Sequence, residues 1–325
     1  MRKDSVHLLS RREFGRGLIG AAAAVGAARV IGQTGPVMAA ASSFPSGKYV
    51  DVHVHLTQSF GRRAGLTRDQ LLAWMNQRQV AQVVVLPLIS PEGWYFAISN
   101  DWVLEQTAGH RDRLIPFCDI DPRCTYVKTP KAIREQLELY VEAGAKGLGE
   151  HKCGGPIDSP ENLAIFRACS ELKLPILFHM DSVRNTDQPG LPGLERCLRE
   201  APGANFIGHA TGFWSSISEV ADAKELNGYP KGPVKPGGAL DRLMDKYDNL
   251  YGDLSAGSGL NAIRRDPDFG RQFVLRRADR LLFGTDYLAP EQQVGQFEFY
   301  DQLDLPAEVQ AKVFRDNARR VLRSN

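Results

Sequence analysis

Short apolar runs recur along the chain from residue 49 onward, and most are separated by segments in which apolar residues follow a helical period. Segments 67–78, 130–144 and 159–172 show this period and begin with Thr, Pro or Ser, which favour helix starts. The apolar runs are predicted strands, with centres near Asp51, Val84, Phe117, Leu148, Leu177, Ile207, Tyr251 and Phe283. This alternation predicts an α/β fold with a parallel sheet.

The number of strand–helix units indicates a barrel. Eight units at roughly 31 residues each make about 250 residues, the usual size of a (β/α)8 or TIM barrel. A doubly wound open sheet shows the same alternation and is the alternative architecture. The longest spacing lies between Ile207 and Tyr251. Its segment 227–238, NGYPKGPVKPGG, is rich in Gly and Pro and is predicted to be an irregular loop.

Histidines and carboxylates stand where the predicted strands end. In YVDVHVHL, strand alternation places two histidines on one face of the first strand. The carboxyl ends of parallel barrel strands meet at one rim, so side chains distant in sequence converge there. The six candidates at this rim are His53, His55, Glu150, His179, His209 and Asp286. Because imidazole and carboxylate ligands suit zinc and similar divalent ions, we expect a metal site at the C-terminal ends of the strands.

The N-terminal segment has the features of an export signal. A twin arginine, Arg11–Arg12, precedes an apolar run rich in Gly and Ala, and Ala39 and Ala41 form the A-x-A arrangement that signal peptidases cleave. The run is too short for a membrane anchor spanning about 30 Å. We expect a cleaved signal peptide at residues 1–41, recognised by the twin-arginine export machinery. The remaining 42–325 would form one barrel domain, located in the periplasm or secreted.

Charge and cysteine content narrow the range of partners. Residues 1–41 contain six Lys and Arg and two Asp and Glu residues, so removing them changes the formal charge from +2 to −2. A near-neutral surface argues against nucleic acid as a partner. No other segment is apolar and long enough to cross a membrane. The five cysteines are odd in number and lack C-x-x-C spacing, which favours buried free thiols over a disulfide framework or a cysteine zinc site.

The motifs together resemble the amidohydrolase superfamily, in particular its amidohydrolase-related (amidohydrolase 2) family. The similar features are D-x-H-x-H on strand one, histidines ending strands five and six, G-T-D on strand eight, and DNARRVL near the end. The resemblance covers essentially the whole mature chain. It implies that His53, His55, His179 and Asp286 bind metal. It also implies that His209 is a ligand of a second metal, or a catalytic or orienting residue beside a single one.

Strand four departs from the best-known pattern of that superfamily. Many members with two metals carry a carboxylated lysine there, whereas this chain has GLGEHK, which is more similar to TatD-type deoxyribonucleases with a bridging glutamate. We expect Glu150 to be the bridging ligand and Lys152 to contact an anionic group of the substrate. The alternative is that a modified Lys152 is itself the bridge.

The ligand types predict metal-assisted hydrolysis. A bound divalent ion, expected to be Zn²⁺ at one or two per chain, lowers the pKa of bound water to about 7. Asp286 would accept the proton of that water as general base. His209 would hold a second metal or stabilise the developing oxyanion. The expected reaction cleaves an amide, lactone or other ester bond of a small molecule.

Two other functions fit the same ligands. One is a non-oxidative decarboxylase of an aromatic or related carboxylic acid, which the resemblance implies because the amidohydrolase-related family includes such enzymes with similar ligands, and which a single metal would favour. The other is a non-catalytic exported metal-binding protein. Asp253 is expected to be structural or to bind the second nitrogen of a ligand histidine, and Trp94 and Tyr95 are candidates for a lid. The loops after the strands are expected to form the substrate pocket. Their candidate substrate contacts are Lys152, Asp181, Trp214, Ser255 and Tyr287.

Overall fold

A computed structural model describes residues 45–123, 129–220 and 222–322, so the predicted signal peptide lies outside the described residues. The strands found within them are β1 (Tyr49–Val54), β2 (Val80–Val85), β3 (Leu114–Pro116), β4 (Leu148–His151), β5 (Ile176–His179), β6 (Phe206–His209), β7 (Leu250–Asp253) and β8 (Leu281–Leu282). The helices are α1 (Arg68–Gln77), α2 (Asn100–Thr107), α3 (Pro130–Glu142), α4 (Pro160–Glu171), α5 (Pro192–Glu200), α6 (Thr211–Ser215), α7 (Ala223–Leu226), α8 (Ala239–Lys246), α9 (Ala256–Arg264), α10 (Pro267–Arg276), α11 (Gln296–Gln302), α12 (Ala307–Ala311), a π-helical turn (Lys312–Asp316) and α13 (Asn317–Leu322).

The strands form a parallel ring in which each strand neighbours the next one along the chain. Parallel ladders pair the strands in sequence order, from β1 through β3 in one set and from β4 through β8 in the other. Backbone hydrogen bonds connect the two sets, from Cys118 N to Gly147 O at 3.0 Å on one side and from Val52 N to Phe283 O at 3.0 Å on the other. The predicted (β/α)8 barrel is therefore confirmed.

The helices that the sequence predicts most clearly begin with side-chain caps. Thr67 and Gln70 form a capping box at the start of α1. Thr129 and Ser159 accept hydrogen bonds from backbone N–H groups at the starts of α3 and α4, each followed by a proline in the first turn. These caps satisfy N–H groups that have no partner within the helix. The three helical segments predicted from periodicity are present, with ends within two residues of those expected.

Apolar side chains pack on both sides of the ring. A large cluster lies between the strands and the surrounding helices. A second cluster fills the barrel and includes Ala318 and Val321 of α13. Its strand-derived members are Val50, Val52, Val84, Leu86, Phe117, Leu177, Ile207, Tyr251 and Leu282. The interior is thus a packed core, which gives the polar strand ends a rigid support.

Four other expectations can be compared with the structure. The predicted strand centres Phe117 and Phe283 lie just beyond β3 and β8, because these strands are only three and two residues long. Segment 227–238 contains neither helix nor strand, as predicted. Within the described ranges no helix has the length and apolar character needed to span a membrane. The described cysteines are buried and free, as predicted; they are Cys118, Cys153, Cys169 and Cys197, whereas Cys124 lies outside the described residues.

Candidate metal centre

The two β1 histidines, His53 within the strand and His55 one residue beyond its end, are buried and direct their Nε2 atoms toward each other, 3.2 Å apart. His55 Nδ1 lies 2.9 Å from the carbonyl oxygen of Leu86. A carbonyl only accepts hydrogen bonds, so this Nδ1 carries the proton and Nε2 presents a lone pair. His53 Nδ1 lies 2.7 Å from Asp253 Oδ2, which fixes the same tautomer. Both Nε2 atoms therefore have the orientation required of metal ligands.

Two carboxylates approach this pair of nitrogens. Glu150 Oε2 lies 3.4 Å from His53 Nε2 and 3.2 Å from His55 Nε2. Asp286 Oδ1 lies 3.5 and 3.6 Å from the same two atoms. That Asp286 oxygen is buried and has no hydrogen-bond partner among the described residues. Lone pairs that face one another repel unless a cation lies among them, so the residues present fit a divalent metal ion.

Electrostatics supports this interpretation. Burial alone lowers the pKa of His53, but the carboxylates of Glu150, Asp286 and Asp253 outweigh it and raise that pKa well above its ordinary value. Burial alone raises the pKa of Glu150, but Lys152, His53 and His179 outweigh it and hold that pKa well below its usual range. The group therefore contains ionised carboxylates that attract positive charge.

Two further histidines lie on the other side of Glu150. Glu150 Oε1 is 2.8 Å from His179 Nδ1 and 3.9 Å from His209 Nε2. Asp181 Oδ2 lies 2.9 Å from His179 Nε2, so a carboxylate oxygen faces each ring nitrogen of His179. The structure thus brings all six predicted ligands together. Their donor atoms form three groups with mutual distances below 4.8 Å, namely His53, His55 and Glu150; His53, His209 and Asp286; and Glu150, His179 and His209.

Asp253, at the end of β7, lies behind two of these histidines. Its Oδ2 atom is 2.7 Å from His53 Nδ1 and 3.0 Å from His209 Nδ1, and it accepts a hydrogen bond from Ser255 Oγ at 2.6 Å. Burial alone raises the pKa of Asp253, but the two histidines outweigh it and lower that pKa below its usual range. One buried carboxylate therefore orients a histidine from each side of Glu150.

Asp51, the first residue of D-x-H-x-H, joins β1 to the segment that carries Asp286. It accepts hydrogen bonds from His53 N at 3.0 Å, from Thr285 N at 3.1 Å and from Thr285 Oγ1 at 2.6 Å. Burial raises the pKa of Asp51 to about 7. Asp286 itself has a φ of 58°, in the left-handed region that non-glycine residues seldom adopt. The contacts of Asp51 hold this uncommon backbone next to β1.

The five candidate substrate contacts differ in how they lie relative to the candidate metal centre. Lys152 Nζ forms an ion pair with Glu150 Oε2 at 2.7 Å, and Asp181 pairs with both His179 and Arg184. The other three are more than nine-tenths buried. Ser255 lies behind the histidines, Trp214 Nε1 donates to the backbone oxygen of Asp253 at 2.7 Å, and the ring of Tyr287 stacks on Trp74 with centroids 4.3 Å apart. The structure does not bring these three to an open surface beside Glu150.

A buried polar network beside β4 was not anticipated from the sequence. His151 Nδ1 lies 2.8 Å from Asp119 Oδ1, and His151 Nε2 lies 3.1 Å from Asn162 Oδ1. Asn162 Nδ2 donates to Asn185 Oδ1 at 3.2 Å. All four residues are buried. The only sequence signal was the polar step in GLGEHK, because His151 directly follows Glu150; nothing local marked Asn185.

The barrel and its rim of histidines and carboxylates define a metal-dependent enzyme of the α/β-barrel class. The chain belongs to the amidohydrolase family, whose profile (amidohydrolase 2) matches residues 50–324. This match confirms the family resemblance of the sequence motifs. A search of curated protein sequences finds no significant match.

Solved structures with the same fold include three informative examples. An uncharacterised TIM-barrel protein from Bordetella bronchiseptica has a TM-score of 0.56 at 18% identity, covering 78% of this chain and 82% of its own. A probable 2-pyrone-4,6-dicarboxylic acid hydrolase from Acinetobacter baumannii, with citric acid bound, has a TM-score of 0.57 at 12% identity, covering 85% and 99%. A dihydroxybenzoic acid decarboxylase from Polaromonas sp. JS666, with manganese and 2-nitroresorcinol bound, has a TM-score of 0.52 at 16% identity, covering 84% and 96%. At these identities the similarity concerns the fold.

Proposed function

We propose that this protein is an exported hydrolase that holds two divalent metal ions and cleaves an amide, lactone or other ester bond of a small molecule. The observation that carries the proposal is the position of Glu150 between two sets of ligand atoms. Its Oε2 faces His53 and His55, and its Oε1 faces His179 and His209. A carboxylate with nitrogen donors on both sides is suited to bridge two cations.

The residues divide into two ligand sets under this proposal. His53, His55 and Asp286 would hold one ion, His179 and His209 the other, and Glu150 both. Ions bound there supply Lewis acidity and lower the pKa of bound water, which favours attack by water on a carbonyl carbon. Glu150, and not Lys152, lies between the nitrogen atoms. This position supports Glu150 over a modified lysine as the bridge.

Asp286 is proposed as the general base. Its side chain is 21% exposed, whereas that of Glu150 is fully buried, so Asp286 is the carboxylate that water and substrate reach. One oxygen faces the β1 histidines, which leaves the other to accept a proton and return it to the leaving group. His209, whose Nδ1 contacts Asp253 Oδ2, would stay neutral and keep Nε2 available as a ligand. Burial, together with the nearby His53, lowers the pKa of His209, which agrees with a neutral ring.

Zn²⁺ is the proposed metal, and the hydrolase with the same fold makes a lactone a reasonable first substrate class to test. We propose Lys152 and Asp181 as substrate contacts, since both approach the centre from the loops after β4 and β5. Export through the twin-arginine route, to the periplasm or beyond, rests on the residues at 1–41. The partners are then the export machinery and a small-molecule substrate, with no nucleic acid and no membrane attachment after cleavage.

Decarboxylation is the second candidate, because a decarboxylase with bound manganese shares the fold. Elemental analysis of purified protein, combined with a screen of lactones, esters, amides and aromatic carboxylates, separates the two functions. Two ions per chain with turnover of a lactone, ester or amide would support the hydrolase. One ion per chain with release of carbon dioxide would overturn it in favour of the decarboxylase.

A further inference from the structure

We infer that Asn185 is a positioning residue whose side-chain amide fixes the separation of Glu150 and His179. Asn185 Nδ2 donates to the backbone oxygen of His151, at the end of β4, at 2.6 Å. It also donates to the backbone oxygen of His179, at the end of β5, at 2.9 Å. Both hydrogens of one amide are therefore used to join the two strands that carry Glu150 and His179. The inference rests on the proposed metal-dependent function.

The ladder between these strands needs such a connection. Leu148 pairs with Ile176 and His151 pairs with Phe178, so the register shifts between the two pairs, and Glu150 lies within the shift. A strand segment with an irregular ladder is held by fewer cross-strand hydrogen bonds. The amide of Asn185 supplies donors to both strands immediately after the irregular step. It substitutes for the backbone contacts that a regular ladder would provide.

Asn185 is itself held from several directions. Its backbone N–H donates to Cys153 O at 2.8 Å, and its Oδ1 accepts from Asn162 Nδ2 at 3.2 Å. Asn162 Nδ2 also donates to Pro156 O at 3.1 Å, which fixes the orientation of that second amide. Asn185 has a φ of 43° and is fully buried. Asparagine tolerates this left-handed conformation better than most residues, so backbone and amide requirements coincide at one position.

The consequence concerns the second ion. Glu150 Oε1 and His179 Nδ1 lie 2.8 Å apart on neighbouring strands, and any relative movement of β4 and β5 changes that distance directly. His53 and His55 lie at the end of β1 and Asp286 follows β8, whereas the hydrogen-bond partners of Asn185 are Cys153, His151, Asn162 and His179. Loss of the amide should therefore weaken the ion held by Glu150 and His179 more than the ion held with the β1 histidines.

The test compares two glycine substitutions. Asn185→Gly removes the amide but keeps the left-handed backbone accessible. Asn317→Gly is the matched control: Asn317 is fully buried and its Nδ2 also donates to two backbone carbonyls, of Ala278 at 2.6 Å and Leu281 at 2.9 Å, where β8 begins. Both variants lose two hydrogen bonds from Nδ2 to backbone carbonyls, and Asn185→Gly also loses the one that Oδ1 accepts from Asn162. Only Asn185→Gly loses them between the strands that carry Glu150 and His179.

The measurement is the binding of Co²⁺ to each metal-free protein, followed by its visible absorption and by competition with a chelator. Wild type should bind two equivalents. Asn185→Gly should weaken the second equivalent by about tenfold or more, the usual effect of losing support around a ligand, and should alter its absorption band. Asn317→Gly should lower thermal stability without either change. Wild-type Co²⁺ affinity in Asn185→Gly, or an equal loss in the control, overturns the inference.

A second variant covers the case in which Asn185→Gly does not fold. Asn162→Ser keeps both strand contacts of Asn185 and removes the hydrogen bond to its Oδ1, so a smaller loss in the same direction is expected; no loss counts against the inference. Failure of the proposed function gives a separate result. If wild type saturates at one Co²⁺ per chain, the two-ion hydrolase is refuted. The effect of Asn185→Gly is then measured on the affinity for that one ion, and unchanged affinity again overturns the inference.

Discussion

Replacing Asp253 by Asn tests whether one buried carboxylate supports both halves of the metal centre. Asp253 Oδ2 contacts His53 Nδ1 at 2.7 Å and His209 Nδ1 at 3.0 Å, and the residue is fully buried. The substitution keeps the side-chain shape but removes the negative charge that makes each imidazole a stronger ligand. Because the two histidines lie on opposite sides of Glu150, the affinity for both ions should fall together.

The size of the effect follows from the contacts. Loss of a partner behind a metal-binding histidine typically weakens affinity about 10- to 100-fold, which is about 1.4 to 2.7 kcal/mol for each ion. The neutral amide of Asn keeps an oxygen that accepts from both Nδ1–H groups, as Oδ2 does in the wild type, so we expect values near the lower end, about tenfold for each ion. Asn185→Gly, in contrast, should weaken mainly the binding of the ion held by Glu150 and His179.

The assay is chelator competition with Zn²⁺ on the purified variant, with circular dichroism to establish that it is folded. Asp187→Asn is the control: Asp187 accepts hydrogen bonds from the backbone N–H groups of Gln188 and of Gly193 and Leu194 in the first turn of α5, none of which is a candidate ligand. The control should lose stability without losing metal affinity. A folded Asp253→Asn protein that binds both ions as tightly as wild type would refute the reasoning, and so would a loss confined to one ion.

Three further predictions concern the bridge, the base and the signal. Glu150→Gln should lower metal occupancy below two ions per chain in elemental analysis, because a neutral amide is a poor bridge between cations; full occupancy would exclude Glu150 as the bridge. Asp286→Asn should stay folded and metal-containing but lose at least roughly 10²-fold in activity at matched metal content, because general-base catalysis contributes about 10²- to 10⁴-fold. Turnover within a few-fold of wild type would move the base to His209 or to the substrate. Changing Arg11 and Arg12 together to Lys should leave the protein in the cytoplasm in a fractionation assay, and normal periplasmic accumulation would argue against a twin-arginine signal.

The sequence predicted the positions of the rim residues because strand ends are readable from local patterns. His53 and His55 alternate with valines at the end of the first strand, and His179 and His209 close short apolar runs, so alternation and barrel geometry bring them together. Asp286 follows β8 by four residues and was assigned through the G-T-D motif, since its left-handed φ depends on contacts with Asp51 that no local pattern shows.

The side chains beyond the strand ends were harder to predict. Tyr287 directly follows Asp286 and Trp214 lies five residues after His209, yet both rings turn into the core, where Trp214 donates to the backbone of β7 and Tyr287 stacks on Trp74. Once the chain leaves a strand, periodicity no longer fixes the direction of a side chain. Asn185 is the opposite case: its role arises from two carbonyl groups on different strands, a relation that exists only in three dimensions.

The negative charge of the candidate metal centre explains why its side chains are held by so many hydrogen bonds and ion pairs. Glu150 and Asp253 are fully buried, and Asp286 directs a buried oxygen at His53 and His55. Within the described residues, the ammonium group in contact with Glu150 is that of Lys152. Backbone and carboxylate partners set the histidine tautomers, and the rings are neutral when a metal is bound. The negative charge of the carboxylates then exceeds the positive charge of Lys152. Burying unbalanced charge costs several kcal/mol per ion, and a core of apolar residues would fill the same space at no such cost. Bound cations would offset this cost. Under the proposed twin-arginine export, which carries folded chains, ions obtained in the cytoplasm would stabilise the protein for passage.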